Sequence, residues 1–280
     1  MTTSENYPVV FVSDEDYKKG VSILGLCTAY FNNINLYAYS LMSNHIHLLV
    51  SGTTDEIAEY FDMYRKILSR TGCGTSQKVI LDLQEHLYEV SDDNYMRNVI
   101  AYIHRNAFVV NPDYTPFSYP WSSGMFCFNP EALKYVAVSR KILRIAEMRR
   151  ISKSRKFDDL DASNLYEVDG CICGASFCRI DVVEGLFLNA REYFYRLSRN
   201  IEATSNIAKQ IGEKIILSDS EIYGLVCKLS NQNYGGLKPA DLSPHIKLEL
   251  AKKLHYEYNS SSKQLARIFK IDESLISVII

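Results

Sequence analysis

Residues 36–50 read LYAYSLMSNHIHLLV, a segment dense in aromatic, β-branched and aliphatic side chains that runs up to a Ser-Gly turn signal. This composition predicts strand, here as a hairpin. Residues i and i+2 of a strand share one face, so His45 and His47 project side by side while Ile46 points to the other face. Neutral imidazole is a common metal ligand, and the pair could supply two coordinating nitrogens. When the pair is considered alone, the alternative interpretation is that both histidines are packed or solvated and bind no metal.

Helical patterns flank this segment on both sides. Before it, apolar residues at near-helical spacing predict a helix over residues 14–31, with Ser13 as the N-cap. After it, a period near 3.6 predicts helices over residues 56–69 and 95–107. Residues 9–12 are the candidate for a first strand.

A second chemical pattern lies on the helix predicted over residues 95–107. Tyr102 and Asn106 are four residues apart, so both face the same side of that helix. Asn106 could be a third, hard-oxygen ligand of a divalent metal, and Tyr102 could attack a phosphorus atom. The alternative is that Tyr102 is a core residue and Asn106 simply lies near a helix end, because a core tyrosine is ordinary in a chain with 20 tyrosines.

Composition excludes several classes of protein. The chain has 280 residues, 47% hydrophobic and 23% charged, with a net charge of −2, which suits a globular protein without a global basic field. Residues 1–8 lack a secretory pattern and no apolar run approaches about 20 residues, so we expect a cytoplasmic protein without a membrane partner. The seven cysteines are odd in number and favour reduced thiols, including buried ones at Cys171, Cys173 and Cys178.

Four phrases together resemble the single-tyrosine HUH transposases, the insertion-sequence-200-like and REP-associated tyrosine transposases. They are DEDY at residues 14–17, YAYSLMSNHIHLLV at 37–50, YIHRN at 102–106 and YPWSS at 119–123. They occur in the family's order and cover roughly residues 8–128.

The resemblance implies an α+β fold, in which a ferredoxin-like antiparallel sheet with helices forms the HUH endonuclease domain. It implies that His45, His47 and Asn106 hold a divalent metal, Mg²⁺ or Mn²⁺, and that Tyr102 is the nucleophile. In the family this tyrosine cleaves single-stranded DNA near a hairpin, leaving a 5'-phosphotyrosine link and a free 3'-hydroxyl, and some members pair as homodimers. The chain departs from the family at Ser43, where proline is common, and at residues 79–86, where VILDLQEH replaces a basic aromatic stretch.

Local positive charge could replace that lost stretch. Residues 134–156 contain nine lysines and arginines against one acid, Glu147, and we predict a basic linker helix over residues 131–160. A solvated face is the alternative for these cations. The residues predicted to contact DNA phosphates are Arg65, Lys66 and Arg70 on the earlier helix, and Arg140, Arg144, Arg149 and Arg150 in the linker. Tyr119 and Trp121 could stack on bases, but anchoring of the proline-rich loop to the core is favoured.

The predicted domains are residues 1–130, transposase-like, the linker, and residues 161–280, mostly α-helical. Within the last, residues 261–280 resemble a DNA-binding helix-turn-helix, because Ala266 allows a close crossing and Leu265 and Ile276 fall at packing positions. A plain helical bundle is the alternative.

Two functions follow from these patterns. The first is metal-dependent cleavage and rejoining of single-stranded or hairpin DNA, by a transposase or its domesticated descendant. The alternative is a catalytically silent DNA-binding regulatory protein that keeps the fold. Retention of both histidines, the tyrosine and the asparagine favours the enzyme, whereas the near-neutral charge favours the regulator.

Overall fold

The computed structural model describes residues 9–73, 77–110, 114–115, 117–199, 201–211 and 217–280, and its fold is α+β. Two compact units are present. The first contains the described residues up to Leu197 except Val109 and Val110, which group with the second unit, Ser198–Ile280. None of the helices in these described ranges is both long and apolar enough to span a membrane.

The hairpin of the first unit matches the sequence prediction. Strand β1, Asn35–Leu41, pairs antiparallel with β2, Ile46–Ser51, and the register sets Ser40 opposite His47. A register shift between Leu36 and Ala38 marks a bulge in β1. Both strands pack their apolar face into the core.

Two long helices, α1 (Asp14–Tyr30) and α2 (Thr54–Arg70), pack against each other and confirm the predicted helices. Each begins with a capping box, Ser13 with Asp16 and Thr53 with Glu56, which satisfies otherwise unpaired N–H groups of the first turn.

Residues 9–12 do not form the strand expected of them. Their backbone does not form the regular hydrogen-bond ladder of a β-strand. The N–H groups of Val10 and Phe11 both donate to the carbonyl of Ser43, at 2.7 and 2.9 Å. Within the described residues, the sheet that carries the histidines therefore has two strands. Single bridges extend it at Leu36 to Cys178 and at Ser40 to Ser122.

The next elements are α3 (Gln77–Leu81) and α4 (Asp93–Val110), followed by the proline-rich loop. Tyr119 and Trp121 anchor this loop to the core, as predicted. The Tyr119 hydroxyl donates to the carbonyl of Leu41, whose N–H donates to the carbonyl of Trp121, and the Trp121 ring stacks on Tyr17 at 5.2 Å.

The basic segment is not one helix. It forms α5 (Pro130–Ser139), a short strand β3 (Lys141–Ile142) and α6 (Ile145–Ser152). Extended backbone at Arg140 ends the first helix, and Ile142 then pairs with Tyr166, so tertiary strand pairing overrides the local helical pattern. The partner strands are β4 (Tyr166–Val168) and β5 (Cys171–Ile172), and α7 (Ile180–Leu186) and α8 (Ala190–Arg199) follow.

The division between the units lies at Leu197, later than the predicted boundaries at residues 130 and 160. Residues 171–179 complete the first core, because the N–H of Ile172 donates to Oγ of Ser22 and the N–H of Arg179 donates to the carbonyl of Leu36. The segment therefore belongs to the hairpin unit.

The second unit is helical throughout its regular elements in the described residues: α9 (Ile201–Gln210), α10 (Asp219–Asn233), α11 (Pro244–Tyr258), α12 (Ser262–Phe269) and α13 (Glu273–Ser277). The last two helices lie in the segment for which a helix-turn-helix or a plain helical bundle was predicted, residues 261–280. Lys270 adopts a left-handed conformation, φ 54°, at the turn where glycine is usual. Leu265 and Ile276 are fully buried at the crossing.

Candidate active site

The two histidines face each other across a short gap. His47 lies on β2 and His45 precedes that strand, and their Nε2 atoms are 3.0 Å apart. The rings are nearly perpendicular, with centroids 4.7 Å apart. The two Nε2 atoms are therefore within hydrogen-bond distance of each other.

Helix α4 brings the second motif to the same point. Nδ2 of Asn106 lies 3.1 Å from Nε2 of His47, and the ring of Tyr102 meets the His47 ring edge-on at 5.7 Å between centroids. The three predicted ligands and the predicted nucleophile are thus neighbours, drawn from a hairpin and a helix far apart in the chain. Tyr102 and His47 are buried, whereas Asn106 is half-buried.

His104 positions this helix, a role that the sequence analysis missed. Its Nε2 lies 2.8 Å from Oγ of Ser123 and its Nδ1 lies 2.9 Å from the hydroxyl of Tyr193. Oγ of Ser123 also accepts from the N–H of Tyr39 on β1, at 3.0 Å. His104 therefore ties α4 both to the hairpin and to α8. The residue stands inside the YIHRN phrase, but its partners could not be identified from local spacing.

A buried arginine adds a second anchor for α4. Arg105 is 1% exposed, and its Nε donates to the carbonyl of Leu197 at 3.3 Å. Arg97, two turns earlier, donates to the carbonyl of Leu186 at 3.0 Å. Together they tie α4 to the segment that contains α7 and α8, which rigidifies the surface that carries Tyr102 and Asn106.

Burial keeps the site's imidazoles neutral. Loss of solvation lowers the pKa of His45 to about 4 and places the pKa of His47 well below its ordinary value, with the charge of His45 as a further cause for His47. Neutral imidazole is the form that binds metals.

Neighbouring amides set which nitrogen of each ring carries a lone pair. Nδ1 of His45 lies 2.8 Å from Oδ1 of Asn44, and a bond donated there leaves Nε2 of His45 as an acceptor. A bond donated by Nδ2 of Asn106 does the same for Nε2 of His47. Nε2 of His45 and Nε2 of His47 are then the ring nitrogens that carry lone pairs, and the one on His47 accepts the bond from Asn106.

The spacing of these atoms fits a metal ion. Adjacent ligands of an octahedral ion, each at about 2.1 Å, stand about 3.0 Å apart, and the two contacts to Nε2 of His47 measure 3.0 and 3.1 Å. Half a turn of the Asn106 amide would present Oδ1 in place of Nδ2. Among the described residues no group of three His, Cys, Asp or Glu side chains is placed to hold a metal.

The cations predicted on α2 are partly engaged by the protein itself. Both Arg65 and Lys66 contact the carboxylate of Asp62, and Arg65 also donates to the carbonyl of Leu83 at 2.9 Å. In the described part of the chain, Arg70 has no carboxylate within ion-pair distance. Of the three, Arg70 is therefore the cation most available to an anion.

Three of the four arginines predicted in the linker also have side-chain partners. Acidic residues or an aromatic ring lie beside these three, and the fourth begins α6 as its N-cap. The contacts are Arg149 with Asp158 at 2.7 Å, Arg150 with Glu167 at 4.0 Å, Arg140 over the ring of Tyr166 at 5.9 Å, and the backbone N–H of Arg144 to Glu147 at 2.6 Å.

The cysteines are all thiols. Cys173 and Cys178 are buried and Cys171 is half-buried, so the predicted buried thiols are confirmed at two of the three positions. Burial raises the pKa of Cys173 to about 11 and of Cys178 to about 12, which makes both unreactive as nucleophiles at neutral pH.

Comparison of the chain with protein-family models, with curated proteins and with solved structures finds no match. The resemblance to the single-tyrosine transposases therefore rests on the four sequence phrases, and the convergence of two of them on one site is the structural observation that accompanies it.

Proposed function

We propose that this protein cleaves and rejoins single-stranded DNA, with Tyr102 as the nucleophile and a divalent metal, Mg²⁺ or Mn²⁺, held by His45, His47 and Asn106. The observation that carries the proposal is the convergence of Nε2 of His45 and the Asn106 amide on Nε2 of His47, at 3.0 and 3.1 Å, beside the Tyr102 ring.

The reaction would begin at the phenol of Tyr102. Its oxygen would attack a phosphorus atom of the strand, the bond from phosphorus to the 3'-oxygen would break, and the phenolic proton would leave while the 3'-oxygen gained one. The products would be a 5'-phosphotyrosine link and a free 3'-hydroxyl. A bound divalent metal would polarise the phosphate and offset charge on its oxygens. Because the phenolate is also a leaving group, the same step in reverse would rejoin strands without an external energy source.

The order of elements supports a ferredoxin-like origin for the first unit. A ferredoxin-like fold runs β-α-β-β-α-β, and α1, β1, β2 and α2 supply its inner four elements in order. Residues 9–12, hydrogen-bonded to Ser43, stand where the first strand would be. Of the proposed metal ligands, His47 would then lie on the second strand of the central hairpin, His45 just before it and Asn106 on α4.

One observation favours the alternative of a DNA-binding regulator that no longer cuts. Tyr102 is 4% exposed, so little of its side chain is accessible to a DNA strand. Several cations predicted to contact DNA are also paired with carboxylates. A silent protein would keep the geometry of the site and lose access to it.

A denaturing gel separates the two functions. The full chain is mixed with labelled single-stranded hairpin oligonucleotides and Mg²⁺ or Mn²⁺, and wild type is compared with Tyr102→Phe. Tyr195→Phe is a matched control, because Tyr195 is an exposed tyrosine on α8. A metal-dependent covalent adduct in wild type and in the control, absent from Tyr102→Phe, is the expected result. Binding of the same DNA without an adduct would overturn the enzyme proposal and support the regulator.

A further inference from the structure

Two cavities of the first unit share a wall formed by Tyr30 and Lys156. The smaller, about 350 Å³, lies along α2, and the larger, about 710 Å³, lies toward residues 159–165. Both volumes fall within the range of roughly 300–1,000 Å³ that small-molecule pockets occupy. Neither cavity is lined by the residues of the candidate active site.

The smaller cavity carries positive charge. Lys66, Arg70 and Lys156 line it, together with Asp62 and Glu59. The carboxylate of Asp62 is engaged by Lys66, whereas neither Arg70 nor Lys156 has a carboxylate within ion-pair distance in the described ranges. Two cations are therefore available to an anion, and guanidinium and ammonium groups suit phosphate oxygens.

The larger cavity carries hydrogen-bonding groups and aromatic surface. Asp159, Asp161 and Asn164 line it beside the ring of Phe177. Carboxylate and amide oxygens accept from the exocyclic amino group of a base such as cytosine. This lining suits a polar, flat, aromatic ligand more than an apolar one.

Tyr30 is an ordered aromatic side chain at the boundary between the two. The residue is 40% exposed, and its ring makes T-shaped contacts with Phe31 and Phe157, at 5.4 and 5.9 Å between centroids. Nζ of Lys156 lies over the ring, 5.2 Å from its centroid. Unpaired bases stack on exposed aromatic rings, and cations contribute to such sites.

We propose that these adjoining cavities bind one unpaired nucleotide of a nucleic-acid strand. Its phosphate contacts Arg70 and Lys156, and its base lies against Tyr30 in the larger cavity, within reach of Asp159 and Asn164. The inference rests on the proposed function for its substrate class, and it names where on the first unit the strand is held. It also assigns a role to Tyr30, which no sequence motif indicated.

Fluorescence anisotropy of the full chain with a labelled oligo-dC decamer tests the site. The measurement is made in EDTA, so that neither metal nor cleavage contributes. Tyr30→Leu is expected to weaken binding about 10-fold because the base loses its stacking partner, and Tyr30→Phe to restore it. Arg70→Gln with Lys156→Gln is expected to lower the slope of log affinity against log salt by about 0.7 for each phosphate that the variant no longer neutralises. Lys134→Gln, an exposed cation on α5 away from both cavities, should leave affinity and slope unchanged.

A decamer of abasic sites gives a test that needs no variant. Wild type should bind it more weakly than oligo-dC, by about the factor that Tyr30→Leu costs. Equal affinity for the two decamers, or unchanged binding in Tyr30→Leu and in the double variant, would overturn the site.

The result is distinguishable from that of the proposed cleavage. If Tyr30→Leu and the double variant formed the tyrosine-linked adduct normally and bound oligo-dC with unchanged affinity, the nucleotide-site proposal would be refuted. The cleavage proposal would still stand. If oligo-dC binding depended on Tyr30 and no adduct formed under any metal condition, the nucleotide-site proposal would be supported and the cleavage proposal refuted. If the free mononucleotide dCMP competed as well as the decamer, the proposal that the site binds a nucleic-acid strand would be overturned, and the ligand would be a small molecule.

Discussion

Nδ2 of Asn106 lies 3.1 Å from Nε2 of His47, although the two residues are 59 positions apart in the chain. This contact joins the hairpin motif to the helical motif and defines the candidate site. The amide has two possible roles there, as a hydrogen-bond donor to His47 or as an oxygen ligand beside it. Substitutions at these positions distinguish the two roles.

The histidine pair is expected to bind divalent metal without DNA. A His45→Gln, His47→Gln variant should lose Mn²⁺ affinity by more than the roughly 10- to 100-fold that loss of an outer-sphere partner costs. Isothermal titration calorimetry with Mn²⁺ measures this, and His245→Gln, an exposed histidine on α11, is the matched control. Equal Mn²⁺ binding by wild type and the double variant would make both histidines structural.

Asn106→Asp separates the two roles of the amide. A carboxylate oxygen is a stronger ligand for a hard divalent ion than an amide oxygen, so Mn²⁺ should bind the aspartate variant more tightly and Asn106→Ala more weakly. If Asn106 only donates to His47, aspartate cannot replace that bond, and both variants would bind Mn²⁺ no better than wild type. The same titration measures all three proteins.

The buried network at His104 is expected to stabilise the fold. Ser123→Ala removes an oxygen that lies 2.8 Å from Nε2 of His104 and accepts from the N–H of Tyr39. Leaving buried polar groups unpaired costs about 1–3 kcal/mol, and urea denaturation should show a loss of that size in the free energy of unfolding. Tyr195→Phe, at an exposed hydroxyl, should stay within about 0.5 kcal/mol. A Ser123→Ala protein as stable as wild type would show that another group takes over these bonds.

Local signals predicted much of the first unit. The capping residue Ser13 begins α1 as expected, and the dense apolar run at residues 36–50 forms the hairpin. The i to i+4 spacing of Tyr102 and Asn106 predicted that both face one side of α4, because the helical period is fixed by backbone geometry. His45 and His47 are adjacent although His45 precedes β2, so the strand period alone does not account for their contact. That the two pairs would lie close together was predicted only by their resemblance to one family.

Features that depend on distant partners were not predicted. The break in the basic segment follows from the pairing of Ile142 with Tyr166, and the role of His104 follows from Tyr193, which is 89 residues away. The first unit extends to Leu197, beyond the predicted boundaries at residues 130 and 160, because Ile172 and Arg179 hydrogen-bond to α1 and β1. Periodicity carries no information on such contacts.

Gly174→Ala tests whether the segment after residue 160 belongs to the hairpin unit. A Cβ added at Gly174 would collide with the hydroxyl of Tyr39 on β1 and would lie 2.9 Å from the ring of Phe126. Tyr39 is 1% exposed, so its ring is enclosed by the core. Overpacking of a filled core costs about 1–3 kcal/mol, so Gly174→Ala should lower the free energy of unfolding by that amount.

Gly185→Ala supplies the matched control in the same segment. A Cβ there meets nothing within 4 Å, and the residue lies in α7, where alanine is favoured over glycine by up to about 1 kcal/mol. Urea denaturation of the full chain should therefore show Gly174→Ala less stable than wild type and Gly185→Ala equal or more stable. If Gly174→Ala matched Gly185→Ala instead, residues near 174 would not pack on β1, and the first unit would end nearer the boundaries at residues 130 and 160.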